Sequence, residues 1–111
     1  AKAESAPEPP PPPGGPGRKD ISFFCRPNPI TDVHTATIGV AADGVAKVEV
    51  FIFDLSGRLV WKREVEGNSV LWHTEDLLGR YLANGVYICH VVAHMEDGTA
   101  TAGLFTIAVL R

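Results

Sequence analysis

Most signals that would announce a chemistry are missing from this 111-residue chain. No apolar run approaches the roughly 18 residues that a membrane-spanning helix needs. No Lys/Arg cluster exceeds the pairs Arg18–Lys19 and Lys62–Arg63, and the formal net charge is −3. Nucleic-acid surfaces normally show as a basic stripe, because phosphate neutralisation supplies most of their affinity, so that partner class is excluded. Cysteine is scarce: Cys25 and Cys89 are too few for a disulfide scaffold, but compatible with one staple or a pair of buried thiols. There is no initiator Met and no signal-peptide pattern, and Ala1 opens directly into low-complexity sequence. The expectation is a processed product, or the carboxy-terminal part of something longer.

Catalytic and metal-binding patterns are equally thin. His90 and His94 would converge on a helix, but four residues apart on a strand they lie about 13 Å from each other, too far to share an ion. His34 and His73 are isolated, so all four histidines read as solvated or hydrogen-bonded. Asp43, Asp54, Asp76 and Asp97 each sit at a turn, where aspartate bonds local backbone N–H groups. Calcium would want alternating oxygen ligands in one loop, and Glu75-Asp76 is the only acidic pair in an irregular segment. Ser56-Gly57 lacks the G-x-S-x-G frame of a nucleophile elbow. The expectation is a chain with no cofactor, no metal and no enzymatic activity.

What is present begins with punctuation. Pro7–Gly17 reads PEPPPPPGGPG, a stiff polyproline spacer followed by a glycine swivel. Residues 1–20 contain no Ile, Leu, Val or aromatic side chain, so they are assigned as a proline/glycine-rich linker. Residues 21–111 are assigned as the folded domain.

From Ile21 the apolar pattern takes a period of two, broken by turn signals. The strand runs are 21–26, 33–40, 45–54, 58–65, 69–74, 86–94 and 100–110. Arg26-Pro27-Asn28-Pro29, Ala42-Asp43-Gly44, Ser56-Gly57, Glu66-Gly67-Asn68, Asn84-Gly85 and Asp97-Gly98 mark their connections. The segment 75–85 is the longest irregular piece, and no stretch supports an amphipathic helix. Seven short strands at this spacing predict an all-β, immunoglobulin-like antiparallel β-sandwich behind a proline-rich linker. Within it Val48, Val50 and Ile52 share one strand face and Phe51 and Phe53 the other. Tyr87, Cys89 and Val91 likewise lie opposite Ile88 and Val92.

The opening Arg26-Pro27-Asn28-Pro29 resembles that of FlgD-like immunoglobulin-type domains, and that of the related type A carboxy-terminal sorting domains of bacterial type IX secretion. The similarity continues through VEVFIFDLSGRLVW (48–61), through Leu82-Ala83-Asn84-Gly85-Val86-Tyr87, and through the last strand ending at Arg111. It implies a β-sandwich at the carboxy end of a large secreted, surface or periplasmic bacterial protein, acting as an export signal in one branch and as a structural cap in the other. The sorting branch usually carries a Lys shortly before the end, where this chain has Thr106, which favours the structural branch. The family pattern also places Phe105, Ile107 and Val109 in the core, with Leu104, Ala108 and Leu110 outward beside Thr106.

In immunoglobulin-like topology the third, sixth and seventh strands are neighbours. Phe51, Phe53, Ile88, Val92, Leu104, Ala108 and Leu110 would then form one apolar patch, of a size that marks an interface. The expected partner is another protein or the parent's preceding domain, with a second copy of the chain as a further candidate, unless 75–85 folds over the patch. The leading reading is a structural or assembly module; the alternatives are an export signal and, more weakly, a carbohydrate module that stacks sugars on Trp61, Trp72 and Tyr81.

Overall fold

The computed structural model describes residues 21–31 and 34–111. The linker 1–20, Asp32 and Val33 lie outside the described residues. Seven strands follow one another: β1 Ser22–Arg26, β2 Ala36–Ala41, β3 Val45–Phe53, β4 Leu59–Glu66, β5 Ser69–Trp72, β6 Gly85–Met95 and β7 Ala100–Val109. They form a three-stranded sheet in the order β1-β2-β5 and a four-stranded sheet in the order β4-β3-β6-β7. Every pairing within the two sheets is antiparallel.

The period-two alternation is what closes the two sheets face to face. Val48, Val50 and Ile52 of β3, Tyr87, Cys89, Val91 and Ala93 of β6, and Ile107 and Val109 of β7 are buried. They meet Cys25, Ala36, Ile38, Val40, Val70 and Trp72 of the smaller sheet. Phe105, expected in the core, is only partly buried against it. It lies on β7, the edge strand of the larger sheet, and the smaller sheet has one strand fewer with which to cover it. Where β1 does reach across, the ring of Phe23 lies over Gly103, and a Cβ there would come within 2.6 Å of Phe23 Cγ.

One strand stops two residues earlier than its sequence pattern suggests. The run 69–74 yields β5 only to Trp72, because Thr74 takes a positive φ of 54°. A β-branched residue avoids that region unless its surroundings hold it there. The Thr74 hydroxyl lies 2.6 Å from the His73 carbonyl and 3.1 Å from that of His34, and it accepts Arg111 Nη1 at 3.0 Å. Thr74 is fully buried.

Candidate functional site

The outer face of the four-stranded sheet carries the residues singled out as an interface. Register sets them in rows. Phe53 pairs with Ile88, and Ile88 with Thr106; Phe51 pairs with His90, and His90 with Leu104; Glu49 pairs with Val92, and Val92 with Ala102. Leu104 is 70% exposed, Leu110 is exposed just past β7, and Phe51, Phe53, Ile88, Val92 and Ala108 are half-buried. A hollow of about 320 Å³ opens among Phe53, His90, Ala102, Gly103 and Leu104.

The face is not an unbroken apolar sheet. His90 sits in its middle, with its ring centroid 5.9 Å from that of Phe51. Below that row the surface turns polar: Lys47 Nζ lies 2.7 Å from Glu64 Oε2, and His94 Nε2 lies 3.0 Å from Glu49 Oε1. Alternation in β6 accounts for this, since it points His90 and His94 to the same side as Ile88 and Val92.

The connection 75–85 engages the end of the sandwich. Trp72 Nε1 donates to the Glu75 carbonyl, Leu82 N to the Thr74 carbonyl, and the Asn84 side chain exchanges two hydrogen bonds with the Arg111 backbone. The Tyr87 hydroxyl donates to the Ala83 carbonyl at 2.7 Å. Arg111 closes the same corner by donating Nη2 to the Leu82 carbonyl, with its guanidinium 5.5 Å from the Tyr81 ring centroid.

At the other flank, the Pro-Asn-Pro segment clasps β7. Asn28 donates to the Thr106 carbonyl at 2.9 Å and accepts from Ala108 N at 3.1 Å. Ile30 then bonds the Ala108 carbonyl and receives Leu110 N, forming a parallel bridge to Val109. The clasp covers part of a sheet edge that would otherwise offer unpaired backbone groups.

A third feature escaped the strand-by-strand reading, which treated Ser56-Gly57 as a turn and Glu75-Asp76 as an acidic pair. The pentapeptides DLSGR (54–58) and DLLGR (76–80) share one pattern, and they fold alike. Asp54 Oδ1 accepts from the N–H of Ser56 and of Arg58, and Oδ2 accepts Arg58 Nε at 3.2 Å. Asp76 Oδ1 accepts from Leu78 and Arg80, and Oδ2 accepts Arg80 Nε at 3.1 Å. Gly57 and Gly79 take φ of 93° and 82°, a region that favours glycine. These bonds hold both carboxyls below the ordinary aspartate range, chiefly the Ser56 hydroxyl for Asp54 and the Arg80 amide for Asp76. The internal repeat was the signal that would have revealed the pair.

The remaining candidates are quickly placed. Trp61 and Trp72 are buried, with centroids 5.8 Å apart, so neither can stack on a sugar. Tyr81 is exposed, but one face carries the His34 ring at 4.7 Å. Among the described residues no plane of exposed aromatics is left for the carbohydrate reading. Cys25 and Cys89 are free thiols. Burial pushes both up to about 12, so neither is a nucleophile at neutral pH. Among the described residues no group of three or more His, Cys, Asp or Glu is placed to hold a metal ion, and no helix is long and apolar enough to cross a membrane.

Against this geometry, residues 26–102 match the family described as the secretion system C-terminal sorting domain. The chain belongs to that family. Solved structures agree on the fold. The sorting domain superimposes on part of dimeric latent PorU from Porphyromonas gingivalis with a TM-score of 0.65, at 23% identity, over 86% of this chain. It also superimposes on PorZ, described as an essential bacterial surface component of the type-IX secretion system of the same organism, with a TM-score of 0.58, at 27% identity, over 80% of the chain. The matched portions are 10% and 11% of those chains, so this chain spans about a tenth of their length. CopC from Methylosinus trichosporium OB3b shares the fold at 18% identity and a TM-score of 0.51, over 80% of this chain and 94% of its own. No curated protein matches significantly.

The match supports the sorting-domain side of the resemblance, not the FlgD-like side. It also reverses the order of the two functional readings. Thr106 in place of a Lys favoured a structural cap, yet the family matched is the export-signal branch. A single surface position carries less weight than a pattern running from Arg26 to Ala102. A sorting domain of a secretion system is carried by an exported protein, and the family is a non-catalytic one.

Proposed function

We propose that this domain is the address of a larger exported protein, and that the secretion machinery reads it through the outer face of the β4-β3-β6-β7 sheet. The observation that carries the proposal is the Phe51–His90–Leu104 row beside its hollow. A sorting-domain family supplies the need for a receptor, and this row supplies an apolar surface with a concavity into which one can insert. The polar pairs below it, Lys47–Glu64 and His94–Glu49, would give the contact a polar rim and a register. The partner is thus a protein of the export apparatus with an apolar protrusion, and the proline-rich segment 1–20 would act as the tether to the cargo.

The test is export of a reporter carrying this chain at its carboxy end. The double variant Phe51→Asp, Leu104→Asp should remain inside the cell while the purified domain keeps its cooperative melting transition. Normal export of a folded double variant would refute the sheet-face reading. If the double variant does not fold, Leu104→Asp alone decides, since that side chain is largely outside the fold.

A further inference from the structure

The two edges of the four-stranded sheet are guarded in different ways. β4, at one edge, carries Lys62, Arg63, Glu64 and Glu66. Charges in such numbers discourage another strand from pairing there. β7, at the other edge, runs from Ala100 to Val109 without a charged residue or a proline. Among the described residues its edge backbone is covered by the Pro-Asn-Pro clasp, and that cover stops short.

The clasp also shows which way the β7 backbone points. Thr106, Ala108 and Leu110 turn their amides or carbonyls outward to Asn28 and Ile30. Register with β6 is unbroken from Ala108 to Ala100, so the period of two gives Leu104, Ala102 and Ala100 the same outward direction. Phe105, Gly103 and Thr101, in between, face Cys89, Val91 and Ala93 of β6 as the hydrogen-bonded pairs. Among the described residues no backbone group bonds the outward amides and carbonyls of Ala100, Ala102 and Leu104.

An uncharged, uncovered stretch of edge is a template for another strand. Its limits decide which strand fits. Toward the carboxy end it stops at Thr106, whose carbonyl Asn28 already holds. Toward the other end it stops at the turn closed by Gly98 N on the Met95 carbonyl. An antiparallel partner must therefore offer an equally short stretch without charge, and a second copy of β7 does so. With Ala102 on the two-fold axis, Ala100 of one copy faces Leu104 of the other, and no like charges meet. Registers displaced toward Val109 run into the clasp, and those displaced the other way run into the turn. Such a pairing is isologous and closes at two chains, while the charged β4 edges left outermost oppose further growth.

We infer that the open part of the β7 edge is a self-association site, at which two copies of this chain pair Ala100–Leu104 antiparallel and join their four-stranded sheets into one. The inference rests on the edge and stands whether or not the outer face is read by the export apparatus. The two are separable, because self-association is measured on the purified chain and export is not.

Sedimentation equilibrium on the chain between about 10 μM and about 1 mM should show a reversible monomer–dimer equilibrium. Hydrogen exchange reads the register. The Ala102 and Leu104 amides should gain protection as concentration rises, while those of Gly103 and Phe105, bonded to β6, should be protected throughout. Ala102→Pro removes the outward N–H from each copy and no bond to β6, and should weaken association about tenfold or more. If that variant does not fold, Ala102→Lys sets like charges face to face on the axis and should weaken association similarly. A chain still monomeric at about 1 mM would overturn the inference, as would a dimer unmoved by the variant that folds. So would Ala102 and Leu104 protection that is independent of concentration, the result expected if residues 1–20 cover the edge instead.

Discussion

Asn28 and Thr106 lie 78 residues apart in sequence, yet the Asn28 amide donates to the Thr106 carbonyl at 2.9 Å. The same side chain accepts from Ala108, so a single asparagine occupies two backbone groups on one edge of β7. Position 106 is thus bound by its backbone to the Pro-Asn-Pro clasp while its side chain lies outward beside Ile88, on the proposed docking face.

Replacing Asn28 by Ala should cost about 1–2 kcal/mol, the net worth of two hydrogen bonds at a partly solvated site. The Ala108 and Leu110 amides should lose hydrogen-exchange protection first. Unchanged protection at both would show that the Ile30 bridge holds the edge without the asparagine.

Gly103 should not tolerate a side chain. A methyl there overlaps the Phe23 ring, so Gly103→Ala should destabilise by about 1–3 kcal/mol, the usual cost of overpacking. Pairing it with Phe23→Leu should recover part of that loss, read as a non-additive double-mutant cycle in chemical denaturation. Strict additivity would mean the two residues do not meet in solution.

Tyr87 has two separable contributions. Tyr87→Phe removes the hydroxyl bond to Ala83 and should cost about 1 kcal/mol. Tyr87→Ala also opens a cavity under the corner and should cost about 3–5 kcal/mol. Thermal melts of the two variants that coincide would show that the hydroxyl, not the ring, carries the corner.

The turn aspartates set an acid limit. Asp54 and Asp76 sit below their ordinary value of 3.8 in the folded chain. A depressed folded value means that their stabilisation is fully present above 3.8 and is lost as pH falls through the lower folded value. Melting temperature should therefore drop more steeply below pH 4 in the wild type than in the Asp54→Asn, Asp76→Asn variant. Parallel acid profiles would refute a stabilising role for the two turn aspartates. At the alkaline end, burial raises the Tyr87 phenol above its ordinary 10.0. Its stabilisation is present below 10.0 and is lost as pH rises beyond it, so the Tyr87→Phe variant should lack that alkaline step.

The strands were legible because a half-buried strand writes its orientation into adjacent residues. Val48, Val50 and Ile52 against Phe51 and Phe53 needs no partner to be read. Turns were legible for a related reason, since Asn84-Gly85 and Asp97-Gly98 carry their backbone preferences with them. The sequence by itself thus determined seven strands and the two faces of β3 and β6. Only the tertiary structure decided what each face meets. His90 falls between Phe51 and Leu104 through register between strands remote in sequence. Trp61 and Trp72 are buried rather than exposed because the two sheets close over them. Arg58 and Arg80, 22 positions apart, come to share one hollow because β4 and β5 return the chain to the same end of the sandwich. Period and turn chemistry are local energies that neighbouring residues feel. Register, edge cover and cleft formation depend on contacts between distant segments, which exist only once the core has formed.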